Sequence, residues 1–212
     1  MKKKLLSAVV LCALGFVGCG DDTDDQPKPP VVPKFDTESN IRTWLDGKKL
    51  LMEGTNIPSH PNGIDEDLNA GQATQCYTKV EMLVANNNFQ VTSTLGTLRN
   101  APTVGSRGEC DHAAVNGSPL NFTSTVSLIE NVKADASCFD ITITYTGFKQ
   151  VGRGSLSADG KKLTLELFFE GAASGANCAA GAVGSGGIML NTANGPVSFT
   201  GNAQQVYTVS AQ

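Results

Sequence analysis

Side chains that could carry out catalysis are few in this 212-residue chain. Its two histidines, His60 and His112, both lie in segments of loop composition, and a histidine-based triad or metal site needs more partners than these. The densest group of reactive side chains is short and contiguous: Glu109, Cys110, Asp111 and His112. A solvated loop beside a disulfide explains this group better than a carboxylate hydrolase site does, so we predict that the protein is not an enzyme.

Motifs of the common reaction classes are absent from the sequence. No serine has glycine both two residues before and two residues after it, as the nucleophile elbow of many hydrolases requires. The chain has no HExxH zinc motif, no Walker loop, no GxGxxG fingerprint and no CxxC pair. We therefore expect neither a cofactor nor a metal. The acidic segment Asp65–Asn69 offers oxygen ligands suited to calcium but lacks EF-hand spacing, so a calcium site and a solvated loop both stay open there.

The first residues have the parts of a secretory signal peptide. A basic start, Lys2–Lys4, precedes the apolar residues 5–17. This apolar stretch is shorter than the roughly 20 residues that cross a bilayer, which favours a cleaved signal over a membrane span.

The segment Phe16–Cys19 resembles the lipobox of bacterial lipoproteins, in which the signal peptide is removed and the cysteine is acylated. Phe16 stands where that family usually has leucine. Cys12 is the poorer candidate because the large Leu11 precedes it. The resemblance implies a lipid anchor at Cys19, and the alternative is a soluble secreted protein.

The resemblance to bacterial lipoproteins also implies a location, and the residues after Cys19 fit the outer membrane. Gly20 is not the aspartate that retains some lipoproteins in the inner membrane. The acidic run Asp21–Asp25 resembles the export signals of some surface lipoproteins, although a solvated tether explains it equally. Prolines in residues 26–33 favour an extended spacer. The expected organisation is a signal peptide (1–18), an acylated cysteine with its tether (19–34) and one folded domain (35–212).

The charge balance argues against nucleic acid as a partner. Removing the three lysines of residues 1–18 leaves 13 basic residues against 20 acidic ones, a net charge near −7. Such a surface repels phosphate backbones. The expected partners are the membrane, through the lipid anchor, and either an envelope protein or a small apolar ligand.

The domain itself has the pattern of antiparallel strands after one short helix. Thr37 is a candidate N-cap, Ile41 and Leu45 fall on one face, and Gly47 is suited to the helix end. About eight segments then alternate apolar and polar residues. This pattern predicts an all-β domain, either an antiparallel barrel or a β-sandwich.

Two hairpin turns predict strand registers. Asn86-Asn87 favours a two-residue turn that pairs Val84 with Phe89. Asp159-Gly160 favours a type I′ turn.

The order of short helix, lone tryptophan, first strand and successive hairpins resembles the plan of lipocalin-like (calycin) barrels. In that plan Trp44 would close one end of the barrel. The family has glycine two residues before the tryptophan, whereas this chain has Arg42, so no ligand is carried over. A carrier would need a ligand cavity lined by apolar strand residues such as Val80, Met82, Val91, Ile141, Ile143, Leu165 and Leu167.

The hairpin registers also predict how the four cysteines of the domain pair in an oxidising envelope. Extending the first ladder places Cys76 opposite Thr97, from which a loop can return Cys110. Extending the second brings Cys138 within a few residues of Cys178. We therefore predict the disulfides Cys76–Cys110 and Cys138–Cys178.

Residues 171–187 contain six glycines and six alanines, a composition that predicts a long flexible loop suited to act as a lid or contact surface. Taken together, the sequence predicts a membrane-anchored envelope lipoprotein. Its β domain is expected to be a non-enzymatic binding or structural interaction module, with a lipocalin-like carrier of a small apolar ligand as the alternative.

Overall fold

The computed structural model describes residues 33–54, 57, 76–98, 110–199 and 203–212. The predicted lipidation site Cys19, His60, the acidic segment Asp65–Asn69 and Glu109 lie outside these residues. The described residues between 33 and 212 belong to one compact unit. Among the described residues, no helix is both long enough and apolar enough to span a bilayer.

Within the described residues the chain forms one helix and twelve strands, so the all-β prediction is confirmed. The elements are α1 (Glu38–Leu45), β1 (Lys48–Glu53), β2 (Tyr77–Ala85), β3 (Asn88–Leu98), β4 (Cys110–Val115), β5 (Leu120–Glu130), β6 (Phe139–Tyr145), β7 (Phe148–Leu156), β8 (Lys162–Phe169), β9 (Ala173–Ser174), β10 (Met189–Thr192), β11 (Gly195–Ser198) and β12 (Gln204–Ala211).

Eight of these strands close into an antiparallel barrel. Pairing follows chain order through β1, β2, β3, β5, β6, β7 and β8, and β12 then pairs with both β8 and β1. This closure decides between the two predicted architectures in favour of the barrel, with the up-and-down connectivity that lipocalins also have. β4 extends the sheet beside β3, and β9, β10 and β11 form a separate three-stranded sheet.

The hairpin between β2 and β3 has the predicted turn and register. Asn86 and Asn87 have φ values of 52° and 62°, the left-handed values that a type I′ turn requires and that asparagine tolerates. Val84 lies opposite Phe89, as predicted. The turn therefore determines which side chains of both strands point into the barrel.

The hairpin between β7 and β8 has a longer turn than predicted. The N–H of Ser157 donates to the carbonyl of Lys162 (2.9 Å), which leaves a loop of four residues between them. Gly160 has a positive φ of 70°, whereas Asp159 does not. The Asp159 carboxylate instead accepts from the Ser157 hydroxyl (2.7 Å) and from the N–H of Lys161 (3.0 Å). The predicted type I′ turn is therefore wrong, because the side chain of Asp159 stabilises a wider loop.

Helix α1 closes one end of the barrel. Thr37 is its N-cap, and its side chain accepts a backbone N–H of the first turn. Ile41 and Leu45 are buried in the core. Arg42 donates from Nη1 to the carbonyl of Val126 in β5 (2.8 Å). The helix is thus attached to the barrel by both apolar packing and a hydrogen bond to a strand.

Trp44 lies at this closed end, as the resemblance to lipocalin-like barrels implied. Its Nε1–H donates to the carbonyl of Gly160 (3.1 Å), and its ring meets Phe35 edge-on at 5.5 Å between centroids. A Cβ at Gly160 would come within 2.5 Å of the indole. The tryptophan therefore locks the helix onto the β7–β8 turn, and this contact requires glycine.

Both predicted disulfides are present. Cys76 and Cys110 are joined with a Cα–Cα distance of 5.4 Å, and Cys138 and Cys178 with 5.8 Å. The first ties β4 to the start of β2, and the second ties the start of β6 to the segment after β8. Cross-links of this kind typically contribute about 2–4 kcal/mol by restricting the unfolded chain.

The glycine- and alanine-rich segment 171–187 is fastened to the outer face of the barrel, which corrects the expectation of a flexible loop. The N–H of Cys178 donates to the Asp140 carboxylate of β6 (2.6 Å). Next to it, an apolar cluster forms outside β8 from Phe168, Ile188, Leu190 and Ala203. The outer face of this part of the barrel is therefore covered by protein.

Candidate functional site

The end of the barrel opposite α1 contains a cavity of about 490 Å³. Small-molecule sites commonly occupy about 300–1,000 Å³. The cavity lies among the ends of six strands, and most of its lining is aromatic or aliphatic. The residues that line it are Tyr77, Ser93, Leu95, Leu120, Phe122, Thr123, Tyr145, Thr146, Phe148, Gln150 and Phe169.

Four aromatic rings form one continuous wall of this cavity. Tyr145 and Phe148 face each other where β6 turns into β7, and their rings stack at 4.5 Å with planes 10° apart. Phe122 packs on Tyr145 at 5.8 Å, and Phe169 meets Phe148 edge-on at 5.4 Å. Phe148 stays 45% exposed. The wall therefore presents both faces and edges of aromatic rings, and it reaches the mouth of the cavity.

Gln150 places a polar group beneath the aromatic wall. It lies two residues further along β7 than Phe148, on the same face of the strand, and is only 1% exposed. Its Oε1 accepts no hydrogen bond from the described residues. An unpaired buried acceptor costs about 1–3 kcal/mol, and such groups in native proteins call for an explanation. The base of the cavity thus includes a buried amide whose oxygen has almost no accessible surface.

The barrel interior holds further polar groups, and they are neutral. Tyr207 is buried, and its hydroxyl donates to Oε1 of Gln205 (2.8 Å). Burial raises the pKa of Tyr207 well above its ordinary value, and the nearby Tyr145 and Tyr77 raise it further. The phenol therefore remains protonated at neutral pH. Within the described residues, Ser124 Oγ and Gln205 Nε2 are also buried without a hydrogen-bond partner.

The buried charges of the described chain lie on the outer face of the barrel. Arg153 and Glu166 are opposite each other in β7 and β8, and Arg153 Nε is 2.6 Å from Glu166 Oε2. Arg153 Nη1 also donates to the carbonyl of Gly181 (2.8 Å). This ion pair fastens the segment 171–187 to the barrel. The described residues that line the cavity carry no charge at neutral pH.

Of the sequence candidates for chemistry, His112 and Asp111 lie beside the first disulfide. His112 Nδ1 is 2.6 Å from the carbonyl of Tyr77 and 3.3 Å from Cys110 Sγ. Asp111 accepts a local backbone N–H. The His112 nitrogen and the sulfurs of Cys76 and Cys110 lie within 4.8 Å of one another, but the two sulfurs are bonded together. The group therefore ties β4 to β2.

The apolar residues expected to line a carrier's interior fill the core instead. Val80, Met82, Val91, Ile141, Ile143, Leu165 and Leu167 are all buried in the main cluster and do not line the cavity. The cavity is formed nearer the strand ends, by residues that sequence reasoning missed. One local signal was present, since Tyr145 and Phe148 bracket a two-residue turn and must therefore meet across it.

The barrel is thus closed by α1 at one end and has at the other a cavity whose described lining is largely aromatic and carries no charged side chain. No family model, curated protein or solved structure matches the chain. Arguments about function therefore rest on this cavity and on the N-terminal residues.

Proposed function

We propose that this chain is a lipid-anchored envelope protein whose barrel binds a small, largely apolar molecule in the cavity opposite α1. The observation that carries the proposal is the cavity itself, which has a volume of about 490 Å³, an aromatic wall and, among its lining residues, the buried amide of Gln150. Apolar lining with a few well-placed polar groups is the usual composition of small-molecule sites.

The lining favours binding over catalysis. General acid–base catalysis needs a side chain that exchanges a proton near neutral pH, most often histidine or a carboxylate. The described lining offers hydroxyl, phenol and amide groups, with no such pair. The cavity also favours a small ligand over a purely structural role. Apolar side chains fill the core of the barrel, whereas a space of ligand size is left at this end.

The binding test compares native and denatured masses of the protein. The closed sheet, both disulfides and the whole described core lie within residues 32–212. We would therefore export this part of the chain behind a cleavable signal peptide. A bound molecule gives a native mass above the denatured mass. We expect Phe148→Ala to lower this excess and Leu83→Ala, a similarly exposed apolar residue outside the cavity, to leave it unchanged.

Equal native and denatured masses, together with failure of added apolar probes to bind, would contradict the proposed function. In that case an interaction module that recognises another envelope protein becomes the better proposal.

The proposed anchor is tested separately, by incorporation of a labelled fatty acid in a bacterial host. Acyl chains hold a protein at a membrane with about 0.8 kcal/mol for each buried methylene, so loss of acylation should release it. We expect Cys19→Ala to abolish labelling and membrane retention, and Cys12→Ala to change neither. Labelling that survives Cys19→Ala would show that the anchor assignment is wrong.

A further inference from the structure

We propose that the ligand of this cavity carries an aromatic ring system, and that the cavity selects it over saturated rings and acyl chains with the same number of carbons. The inference rests on the proposed function and adds to it a chemical class. Three features carry it: the geometry of the four rings, the surface that Phe148 leaves open and the shallow position of the cavity.

The rings of the wall contact one another in the geometries that aromatic pairs prefer. Tyr145 and Phe148 stack with nearly parallel planes, whereas Phe169 meets Phe148 at 88°. Phe122 lies against Tyr145 at an intermediate angle of 51°. Such pairs offset two faces or set the positive edge of one ring against the negative face of another. A ligand ring on this wall can continue the series, whereas a saturated group lacks the charge distribution that these pairs use.

Phe148 is the ring of the wall with the most open surface. Tyr145 covers one of its faces, yet Phe148 is still 45% exposed, and the other three rings are less exposed. It lies at the first position of β7 and lines the cavity. Covering this ring removes apolar surface from water, which is favourable. In the proposed complex the ligand ring supplies that cover.

The position of the cavity along the barrel limits the length of the ligand. Ile143 and Leu165 belong to the filled core, as do other apolar side chains further along the barrel. The cavity is lined instead by residues near the strand ends, such as Phe148 at the start of β7 and Phe169 at the end of β8. An extended acyl chain would therefore leave methylene groups in water. A compact ring system buries more of its surface at this depth.

The experiment uses three probes that share eleven carbons and one primary alcohol, with residues 32–212 exported as above. The probes are 2-naphthalenemethanol, decahydro-2-naphthalenemethanol and 1-undecanol, and calorimetry gives each Kd at pH 7. Because the polar group is the same in all three, the comparison isolates the apolar part. We expect 2-naphthalenemethanol to bind about two- to tenfold more tightly than the decahydro probe, which is the gain typical of one aromatic pair beyond the area it buries. 1-Undecanol should bind most weakly.

Burial of apolar surface alone predicts the opposite order. The two saturated probes have the larger apolar surfaces, and the hydrophobic effect is roughly proportional to apolar area. The order of the three Kd values therefore distinguishes recognition of an aromatic ring from unspecific apolar binding. This comparison uses the wild type alone and needs no variant.

A set of variants assigns the preference to the wall. Phe148→Leu keeps an apolar side chain but removes the ring, so it should weaken 2-naphthalenemethanol about threefold or more and change the Kd of 1-undecanol by less than about twofold. Phe199→Leu makes the same change outside the barrel, where Phe199 meets Phe168 edge-on at 5.3 Å, and it should keep the wild-type preference. Leu120→Ala shortens an aliphatic lining residue and should weaken all three probes by similar factors.

Each outcome separates the inference from the proposed function. Equal Kd values for the three probes, or tightest binding of a saturated probe, would overturn the inference and leave the binding function standing. A preference for 2-naphthalenemethanol that survives Phe148→Leu unchanged would overturn the role of Phe148. Failure of all three probes to bind the wild type would count against the proposed function, and the inference would fall with it.

Discussion

Replacing Arg153 by methionine should destabilise the barrel strongly, although the residue lies on its outer face. The side chain is fully buried, and Glu166 opposite it is nearly so. Without the guanidinium, Glu166 keeps the N–H of Gly184 (3.3 Å), and the carbonyl of Gly181 loses its side-chain donor. Breaking a buried pair from one side typically costs about 3–5 kcal/mol. This is a large part of the roughly 5–15 kcal/mol by which a domain is stable.

The assay is urea unfolding with the disulfides intact, and Trp44, the single tryptophan, is the reporter. Because Trp44 lies at the closed end of the barrel, its fluorescence follows the barrel and not the segment 171–187 alone. Linear extrapolation gives the free energy of unfolding, and an unchanged m-value shows that the variants unfold over the same surface.

Two comparisons make this result interpretable. The double variant Arg153→Met with Glu166→Leu leaves no buried charge, so it should cost clearly less than the two single costs added together. Lys149→Met breaks the exposed pair with Glu170 (3.6 Å) and should cost less than about 1 kcal/mol. If Arg153→Met cost no more than Lys149→Met, our account of the outer face would be refuted.

Two further predictions concern the turn at the closed end and the acid stability of the barrel. Gly160→Ala should lower the free energy of unfolding by about 2 kcal/mol or more, because it adds a Cβ at positive φ against the indole of Trp44. Urea unfolding measures this change. A decrease below about 0.5 kcal/mol would contradict the packing described. Hydrogen bonds from Lys49 and Lys79 lower the pKa of Glu81 in the folded protein. The stability that Glu81 contributes is therefore fully present above its pKa in the unfolded chain, about 4.3, and is lost as the pH falls through its lower pKa in the folded protein. Urea midpoints at pH 7 and pH 3 should therefore differ less in Glu81→Gln than in the wild type, and an equal difference would show that Glu81 does not contribute.

Much of the fold could be predicted because its signals are local. Thr37 caps α1 with its own side chain, and Asn86 and Asn87 form their turn with their own backbone. Once a turn fixes a register, the alternation of the strands fixes which residues point inward. Both disulfide pairings followed from registers of this kind.

The candidate site could not be predicted because it depends on what covers each strand end. Phe148 and Gln150 have the same inward alternation as core residues further along the barrel. They line a cavity because they lie at the end of the barrel that α1 does not close. Arg153 has an outward position that the strand pattern assigns to solvent. The segment 171–187 covers Arg153, and the glycine- and alanine-rich composition of this segment does not predict that it packs on the barrel.

The pairing of β1 with β12 determines when this protein can fold. Their ladder joins Lys48 to Ala211, so the contacts that close the barrel connect the first of the described strands to the last. Folding slows when such distant pairings dominate. A chain that emerges with its N-terminus first keeps β1 and β8 as open strand edges until β12 arrives. Until then those edges are exposed to pairing with other chains, so loss of the last eight or nine residues would leave the protein prone to aggregation.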